Sequence, residues 1–219
     1  MTIATKSPTA RRSLLQHVPE LALALAGTAV VLLALAPIGW RGIALAVVAL
    51  IGGGLIAYVP WHYDQIRQTV PPIHDITTDL ENPPAFVAVV PLRQGEGINP
   101  VAYEGGKTAE QQRRAYPNVV PLTVGLAPDA AFERALDTAE HMGWTIVSAD
   151  KARGRIEASQ RSRWMGFTDD IVVRITPVSS GSRIDLRSSS RYGRSDFGVN
   201  ADRIRAYLTA LGAAAATQG

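Results

Sequence analysis

The sequence predicts an α+β protein with an N-terminal two-helix transmembrane hairpin and a two-layer domain, in which two helices pack on an antiparallel sheet. Two uncharged apolar runs, residues 21–38 and 43–59, predict the hairpin. Four strand-like stretches between residues 144 and 189, joined mostly by short turns, predict antiparallel neighbours. Stretches of helical apolar spacing flank them at residues 128–142 and 200–211. The order of elements is similar to that of helix-grip folds, which is an analogy of fold only.

The two apolar runs each have about the length that a bilayer-spanning helix needs. Residues 39–42, with a Trp and an Arg, suit a turn at the level of the headgroups. Lys6, Arg11 and Arg12 precede the first run, whereas only Arg41 lies in the turn. The positive-inside rule then places the N-terminus and, after two crossings, the domain in the cytoplasm. We therefore expect an integral protein of the plasma or inner membrane. A cleaved signal peptide fits less well because it has a single, shorter apolar core.

The chain divides by composition into four parts. We predict a basic tail (residues 1–20), the transmembrane hairpin (21–59), a proline-bracketed strap (60–85) and the α+β domain (86–219).

The strap contains the stretch "VPPIHDITTDLENPPAF", in which two proline pairs bracket a polar run. His74, Asp75 and Asp79 are residue types that bind metals. Asp and Thr side chains more often cap turns and bond nearby backbone amides, and we favour that interpretation. No metal site is predicted.

The composition excludes several classes of function. The chain has no cysteine, which excludes disulfides, thiolate nucleophiles and cysteine-based zinc sites. Acidic and basic residues balance beyond residue 60, whereas a nucleic-acid-binding domain needs a basic face. We expect neither a cofactor nor a nucleic-acid partner.

An arginine-rich stretch, "RSSSRYGRSDFGVN", leads into the last predicted helix. Amides at a helix N-terminus and arginine side chains both suit anions. The candidate site for an anion or a lipid headgroup comprises Arg187, Arg191, Arg194 and Ser195. The alternative is internal pairing of these arginines with Asp169, Asp170, Asp185, Asp196 and Asp202.

Catalysis is the weaker alternative, and no catalytic residue is assigned. No G-x-S-x-G elbow is present. Asp169 and Asp170 are adjacent carboxylates that general acid–base chemistry can use. More often such residues pair with arginines, here with Arg161, Arg163, Arg174 and Arg187 on neighbouring predicted strands. Trp144, Trp164, Tyr192 and Phe197 are interpreted as core or rim aromatics.

Several long motifs carry a resemblance to a known family. They are "PPIHDITTDLENPPAF", "GRIEA", "GF.DDIVVRI.P" and "GSRIDLRSSSR.G.SD.G.NA.RI". On these residues the chain resembles domain-of-unknown-function family 1499 over most of residues 71–211. The resemblance implies a membrane-associated or plastid-associated single domain and assigns no functional residues.

Together these observations predict a membrane-anchored, non-enzymatic module that binds a lipid or a membrane-protein partner at the bilayer surface. The alternatives are a membrane-anchored hydrolase using Asp169 and Asp170, or a structural assembly subunit.

Overall fold

The computed structural model describes residue 27 and residues 39–162 and 166–216. Within the chain two compact units form, Met1–Thr69 and Val70–Gly219. The predicted tail, nearly all of the first apolar run, and Arg163 and Trp164 lie outside the described residues.

One long apolar helix, α1 (Trp40–Thr69), is described in the first unit. Its stretch Gly42–Gln65 is long and apolar enough to cross a membrane, with a mean hydropathy of 2.3. Among the described residues it is one candidate span, so the predicted two-helix hairpin is not confirmed. Residues 40–42 form the first turn of α1 rather than a connection. The helix also continues past Pro60 to Thr69, because proline in a helix removes one hydrogen bond and can kink the helix without ending it.

The second unit is an α+β domain with a six-stranded antiparallel sheet, which confirms the predicted class. The sheet order is β1-β6-β5-β4-β3, and β2 also pairs with β6. The strands are β1 (Asp75–Thr77), β2 (Leu122–Val124), β3 (Thr145–Asp150), β4 (Arg155–Arg161), β5 (Thr168–Val178) and β6 (Gly181–Ser190). The helices are α2 (Gly106–Ala115), α3 (Pro128–His141) and α4 (Val199–Ala216), with short 3₁₀ helices at Val90–Leu92 and Lys151–Arg153.

The main core lies between one face of the sheet and helices α3 and α4. Alternate residues of β5 and β6, such as Ile171 and Leu186, point into it because side chains of a strand alternate between faces. Tyr207 of α4 is fully buried, stacks on Trp144 at a centroid distance of 4.8 Å and donates its hydroxyl to the Ala135 carbonyl at 2.7 Å. The phenol therefore joins α3 and α4 with its polar atom satisfied.

The opposite face of the sheet is covered by an irregular stretch, residues 78–104, which we call the covering segment. Phe86 and Val89 of this segment pack on Val172 of β5 in a second, smaller core. Charged side chains of the sheet supply most of the remaining contacts.

The structure divides the predicted strap differently from the sequence. Residues 60–69 continue α1, Asp75–Thr77 form β1, and residues 78–85 begin the covering segment. Ile73 and Ile76 are buried in the main core. The amide side chain of Gln112 completes the free edge of β1 by bonding the backbone N–H and carbonyl of Thr77 at 3.0 and 2.6 Å. Residues 70–85 thus belong to the domain, because their apolar side chains and backbone groups have partners in it.

Gly154 follows the 3₁₀ helix Lys151–Arg153 in the left-handed region, at φ +57°. A Cβ at this position would lie 2.4 Å from the Ile175 carbonyl oxygen. Gly143 also has a positive φ, +73°, but no atom lies within 4 Å of its Cβ position. Substituting each glycine by alanine therefore distinguishes two energetic costs. Both substitutions place a side chain at a positive φ, but only the one at Gly154 also creates a close contact.

We expect Gly143→Ala to lower the free energy of unfolding by about 1–2 kcal/mol, the cost of a left-handed L-residue. Gly154→Ala should lower it by about a further 1–3 kcal/mol, because β5 must also move. Urea unfolding of the full-length protein in detergent measures both losses. Equal losses would contradict the close packing of this turn on β5.

Candidate functional site

The arginine-rich stretch spans the end of β6, the loop of residues 191–198 and the start of α4. Asp196 caps α4, and its two carboxylate oxygens accept hydrogen bonds from the backbone N–H groups of Gly198 and Asn200, both at 2.9 Å. Burial raises the pKa of Asp196 despite these bonds. The free amides that were predicted to suit an anion therefore already hold a carboxylate of the chain itself.

Arg187 is buried and bonded inside the domain. Its Nε and Nη2 donate to the two oxygens of Asp75 at 2.9 and 2.7 Å. Nη2 also donates to the Val101 carbonyl at 2.8 Å, and Nη1 donates to the Pro84 carbonyl at 3.4 Å. Arg187 thus ties the covering segment to β1 and β6 and has little capacity left for an external anion.

Arg191 pairs with Asp170, at the centre of a buried cluster. Asp170 is fully buried and accepts from Arg191 Nε and Nη2 at 3.0 and 2.8 Å. It also accepts from Arg93 Nε and from the Ser159 hydroxyl, both at 2.6 Å. Burial acts to raise the pKa of Asp170, but the hydrogen bonds from Arg191, Ser159 and Arg93 outweigh it and lower the pKa. Arg93, which the sequence did not single out, fixes the covering segment here.

The other two predicted site residues, Arg194 and Ser195, differ in their exposure and partners. Arg194 is exposed and has no ion pair or hydrogen bond within the described part of the chain. Ser195 is half-buried and accepts from the Phe197 amide at 3.3 Å. Only Arg194 is therefore available to an external partner through its charge, because Arg187 and Arg191 are paired internally.

Asp169 and Asp170, the predicted hydrolase pair, point to opposite faces of the sheet. Asp169 pairs on the helix side with Arg203 of α4 at 2.6 Å, whereas Asp170 faces the covering segment. The physical reason is that adjacent residues of a strand alternate between faces. The predicted partners also differ: Arg174 pairs with Asp79 and Asp185, and Arg163 lies outside the described residues.

A second charged cluster lies nearer the turn between β5 and β6. Asp185 is buried and lies 3.0 Å from Arg174 and 2.9 Å from Arg183. Asp79 of the covering segment contacts both arginines, at 2.8 and 3.2 Å. Burial acts to raise the pKa of Asp79, but the Asn82 amide and Arg174 lower it on balance.

An open cleft of about 410 Å³ lies between the two ends of the covering segment. It is lined by Pro83, Ala85, Phe86, Val101, Ala102, Tyr103 and Arg187. The Arg187 guanidinium lies 4.8 Å from the ring centre of Phe86 and 5.4 Å from that of Tyr103. The walls are thus apolar and aromatic, and the base is a cation neutralised by Asp75.

Tyr103 lines this cleft, and its hydroxyl is buried. No hydrogen-bond partner for it is found among the described residues. Burial and the nearby Asp75 raise the pKa of Tyr103 to about 12, so the hydroxyl stays protonated at neutral pH. Sequence reasoning did not assign Phe86 or Tyr103 to a site; the apolar run of residues 86–92 was the available signal for Phe86, and no local pattern marked Tyr103.

The sequence of residues 75–211 matches the model of a family described as protein of unknown function, DUF1499. The match covers more than half of the chain. The chain belongs to this family. Membership confirms the resemblance found in the motifs, and it places β1 to β6 and most of α4 within the family's shared domain.

Other comparisons add little about function. Comparison with curated proteins finds no match to the chain. The chain is similar to the crystal structure of protein CV1439 from Chromobacterium violaceum, at 12% identity and a TM-score of 0.33, over 44% of this chain and 94% of that one. A likeness this weak carries no argument about fold or function.

Asp170→Asn should lower the free energy of unfolding at pH 7 by about 3–5 kcal/mol, because it leaves Arg93 and Arg191 without their buried counter-charge. The matched control is Asp137→Asn, which removes an exposed pair with His141 and should change stability far less. Chemical unfolding of the full-length protein measures both.

The free energy of unfolding that Asp170→Asn loses should depend on pH. A carboxylate with a lowered folded-state pKa adds stability above its unfolded pKa of about 3.9, and this stability disappears as the pH falls through the folded pKa. The difference between wild type and Asp170→Asn should therefore shrink below about pH 4. A difference that stays constant down to pH 2 would assign the loss to packing instead of charge.

Proposed function

We propose that the chain is a membrane-tethered, non-enzymatic binding module, which takes an uncharged apolar group of a membrane lipid into the cleft over Arg187. The apolar helix α1 supports the tether. As part of the proposal we keep the two-helix anchor in the plasma or inner membrane and the cytoplasmic position of the domain, for which Lys6, Arg11 and Arg12 are the argument.

The observation that carries the proposal is the chemistry of the cleft. Small-ligand sites are concave and mostly apolar, with a few placed polar groups, and about 300–1,000 Å³ is their usual size. The cleft of about 410 Å³ has Phe86, Val101 and Tyr103 as walls. The buried hydroxyl of Tyr103 has no hydrogen-bond partner among the described residues, and in this proposal it donates to an ester or amide carbonyl of a ligand that reaches it.

The state of Arg187 favours an uncharged ligand. Its bidentate pair with Asp75 neutralises the charge and holds two of its donors. An incoming phosphate or carboxylate would have to displace Asp75 and leave a carboxylate buried at 4% exposure without its partner. In this proposal Arg187 therefore forms the base of a cleft for an uncharged group, instead of binding a headgroup anion as the sequence predicted.

A structural assembly role is the second candidate. The outer side of the covering segment exposes Val87, Val90 and Leu92, each by 40–50% of its surface. Such a row of aliphatic side chains suits a protein partner. The hydrolase alternative draws no support from the geometry, because Asp169 and Asp170 point to opposite faces.

A substitution that fills the cleft with a large side chain tests the proposal. Ala102 lines it and is exposed, so Ala102→Trp should occupy the space without disturbing either core. Ala206→Trp, on an exposed face of α4, is the matched control. We expect native mass spectrometry of the full-length protein, purified in mild detergent, to show a lipid on the wild type and on Ala206→Trp but not on Ala102→Trp.

Two results would contradict the proposal. Equal lipid retention by Ala102→Trp and wild type would remove the cleft as the site. A protein chain that stays bound to the wild type with no lipid would favour the assembly role instead.

A further inference from the structure

The chain enters the domain at one particular end of the sheet. The Ile73 carbonyl accepts from the Asp196 amide at 3.1 Å, and the His74 carbonyl accepts from the Ser190 amide at 2.9 Å. Val70 lies near Gly198, where an added Cβ would be 3.8 Å from its side chain. The first residues of the domain therefore lie where β6 ends, beside the loop of residues 191–198.

The same end carries exposed apolar side chains. Asp169 of β5 lies opposite Ser190 of β6 in the sheet, and the Arg191 amide donates to the Thr168 carbonyl at 3.0 Å. Phe167 and Tyr192 are the next residues outward from Thr168 and Arg191, and their side chains are 50% and 44% exposed. Leu92 is 49% exposed, and its carbonyl accepts from Arg191 Nη1 at 3.2 Å. We call this surface, formed by Leu92, Phe167, Tyr192 and the loop of residues 191–198, the tether end.

Among the described residues at and beside the tether end, the exposed charges are mostly basic. Arg161 and Arg194 are exposed there, and Glu96 is the exposed acid of the neighbouring loop. Asp169 and Asp170 are buried and paired with arginines, so neither carboxylate offsets the exposed arginines. Aromatic side chains beside arginines suit a bilayer interface, where rings lie among headgroups and cations face anionic lipids.

Connectivity limits how far this end can lie from a membrane. The candidate span ends at Gln65, and only residues 66–69 separate it from Val70. Even fully extended, the five residue steps from Gln65 to Val70 reach about 17 Å. If α1 crosses a bilayer, this chain length alone keeps Val70 within about 17 Å of the end of the candidate span.

We propose that the tether end contacts the anionic lipid surface of the bilayer that holds α1, with Phe167 and Tyr192 among the headgroups and Arg161 and Arg194 facing the lipid phosphates. This inference rests on the tether of the proposed function and is independent of the cleft. It assigns to Arg194 the lipid contact that Arg187 and Arg191 cannot make.

The test uses the absence of cysteine from the chain, since one introduced cysteine is then the sole thiol. Full-length Phe167→Cys is labelled with bimane and placed in nanodiscs containing lipids with a quenching nitroxide at the headgroup or upper acyl chain. The matched control is Val178→Cys, at the other end of the same strand and 38% exposed. Ile51→Cys, within the candidate span, reports insertion of α1.

We expect quenching at residues 51 and 167 but not at 178. Quenching at 167 should weaken when anionic lipids are replaced by zwitterionic ones. Arg194→Gln in the Phe167→Cys background should lower the equilibrium constant for the contact by about fivefold, the usual effect of one basic residue near an anionic surface.

The outcomes separate the two proposals. Quenching at 51 but equally little at 167 and 178 would overturn the contact and leave the tether standing. No quenching at 51 would overturn the tether and the contact together. Loss of lipid from the cleft variant has no bearing on either result.

Discussion

A layer of buried charged side chains between the sheet and the covering segment is the constraint on which the rest of the domain depends. The segment contributes only a small apolar core, formed by Phe86 and Val89 on Val172. Arg93 of the segment pairs with Asp170 of β5, and Glu157 of β4 accepts from the backbone amides of Val87 and Val89. Arg187 of β6 pairs with Asp75 of β1 within the sheet and donates to the Pro84 and Val101 carbonyls of the segment. Removing one member of such a pair leaves a buried charge without its partner, which is why each pair resists opening. The segment is irregular in backbone and yet part of the folded domain.

This layer also determines which side chains of the domain remain available to bind other molecules. The conspicuous arginines at positions 187 and 191 hold the domain together, and their charges are already neutralised. The remaining surface chemistry is apolar in the cleft and aromatic with exposed arginines at the tether end. Both features suit a lipid environment, and both lie on the part of the chain that directly follows an apolar helix. The two proposals therefore share a setting but depend on different residues.

The sequence predicted the parts of the fold that depend on local patterns. The alternation of Ile171, Val173 and Ile175 indicated a half-buried strand, and the spacing of Phe132, Ala135 and Ala139 indicated α3. The sequence did not predict contacts between residues that are far apart along the chain. Arg187 and Asp75 are 112 residues apart, and Arg93 and Asp170 are 77 residues apart. No local pattern reveals such a pair. Asp169 and Asp170 were grouped because they are adjacent in sequence, although the period of a strand separates them. Arg183, Asp185 and Arg187 alternate with apolar residues along β6, a pattern typical of a solvated face, and yet Asp185 and Arg187 are buried.

Hydrogen exchange followed by NMR on the full-length protein tests most directly whether buried charges hold the covering segment to the sheet. The amides of Val87 and Val89 donate to Glu157 at 2.9 and 3.1 Å, whereas Gly97 lies in the same segment on an exposed turn. The account predicts that Val87 and Val89 exchange as slowly as amides of β5, while Gly97 exchanges rapidly. Exchange at Val87 and Val89 as fast as at Gly97 would contradict it, because the segment would then open independently of the sheet.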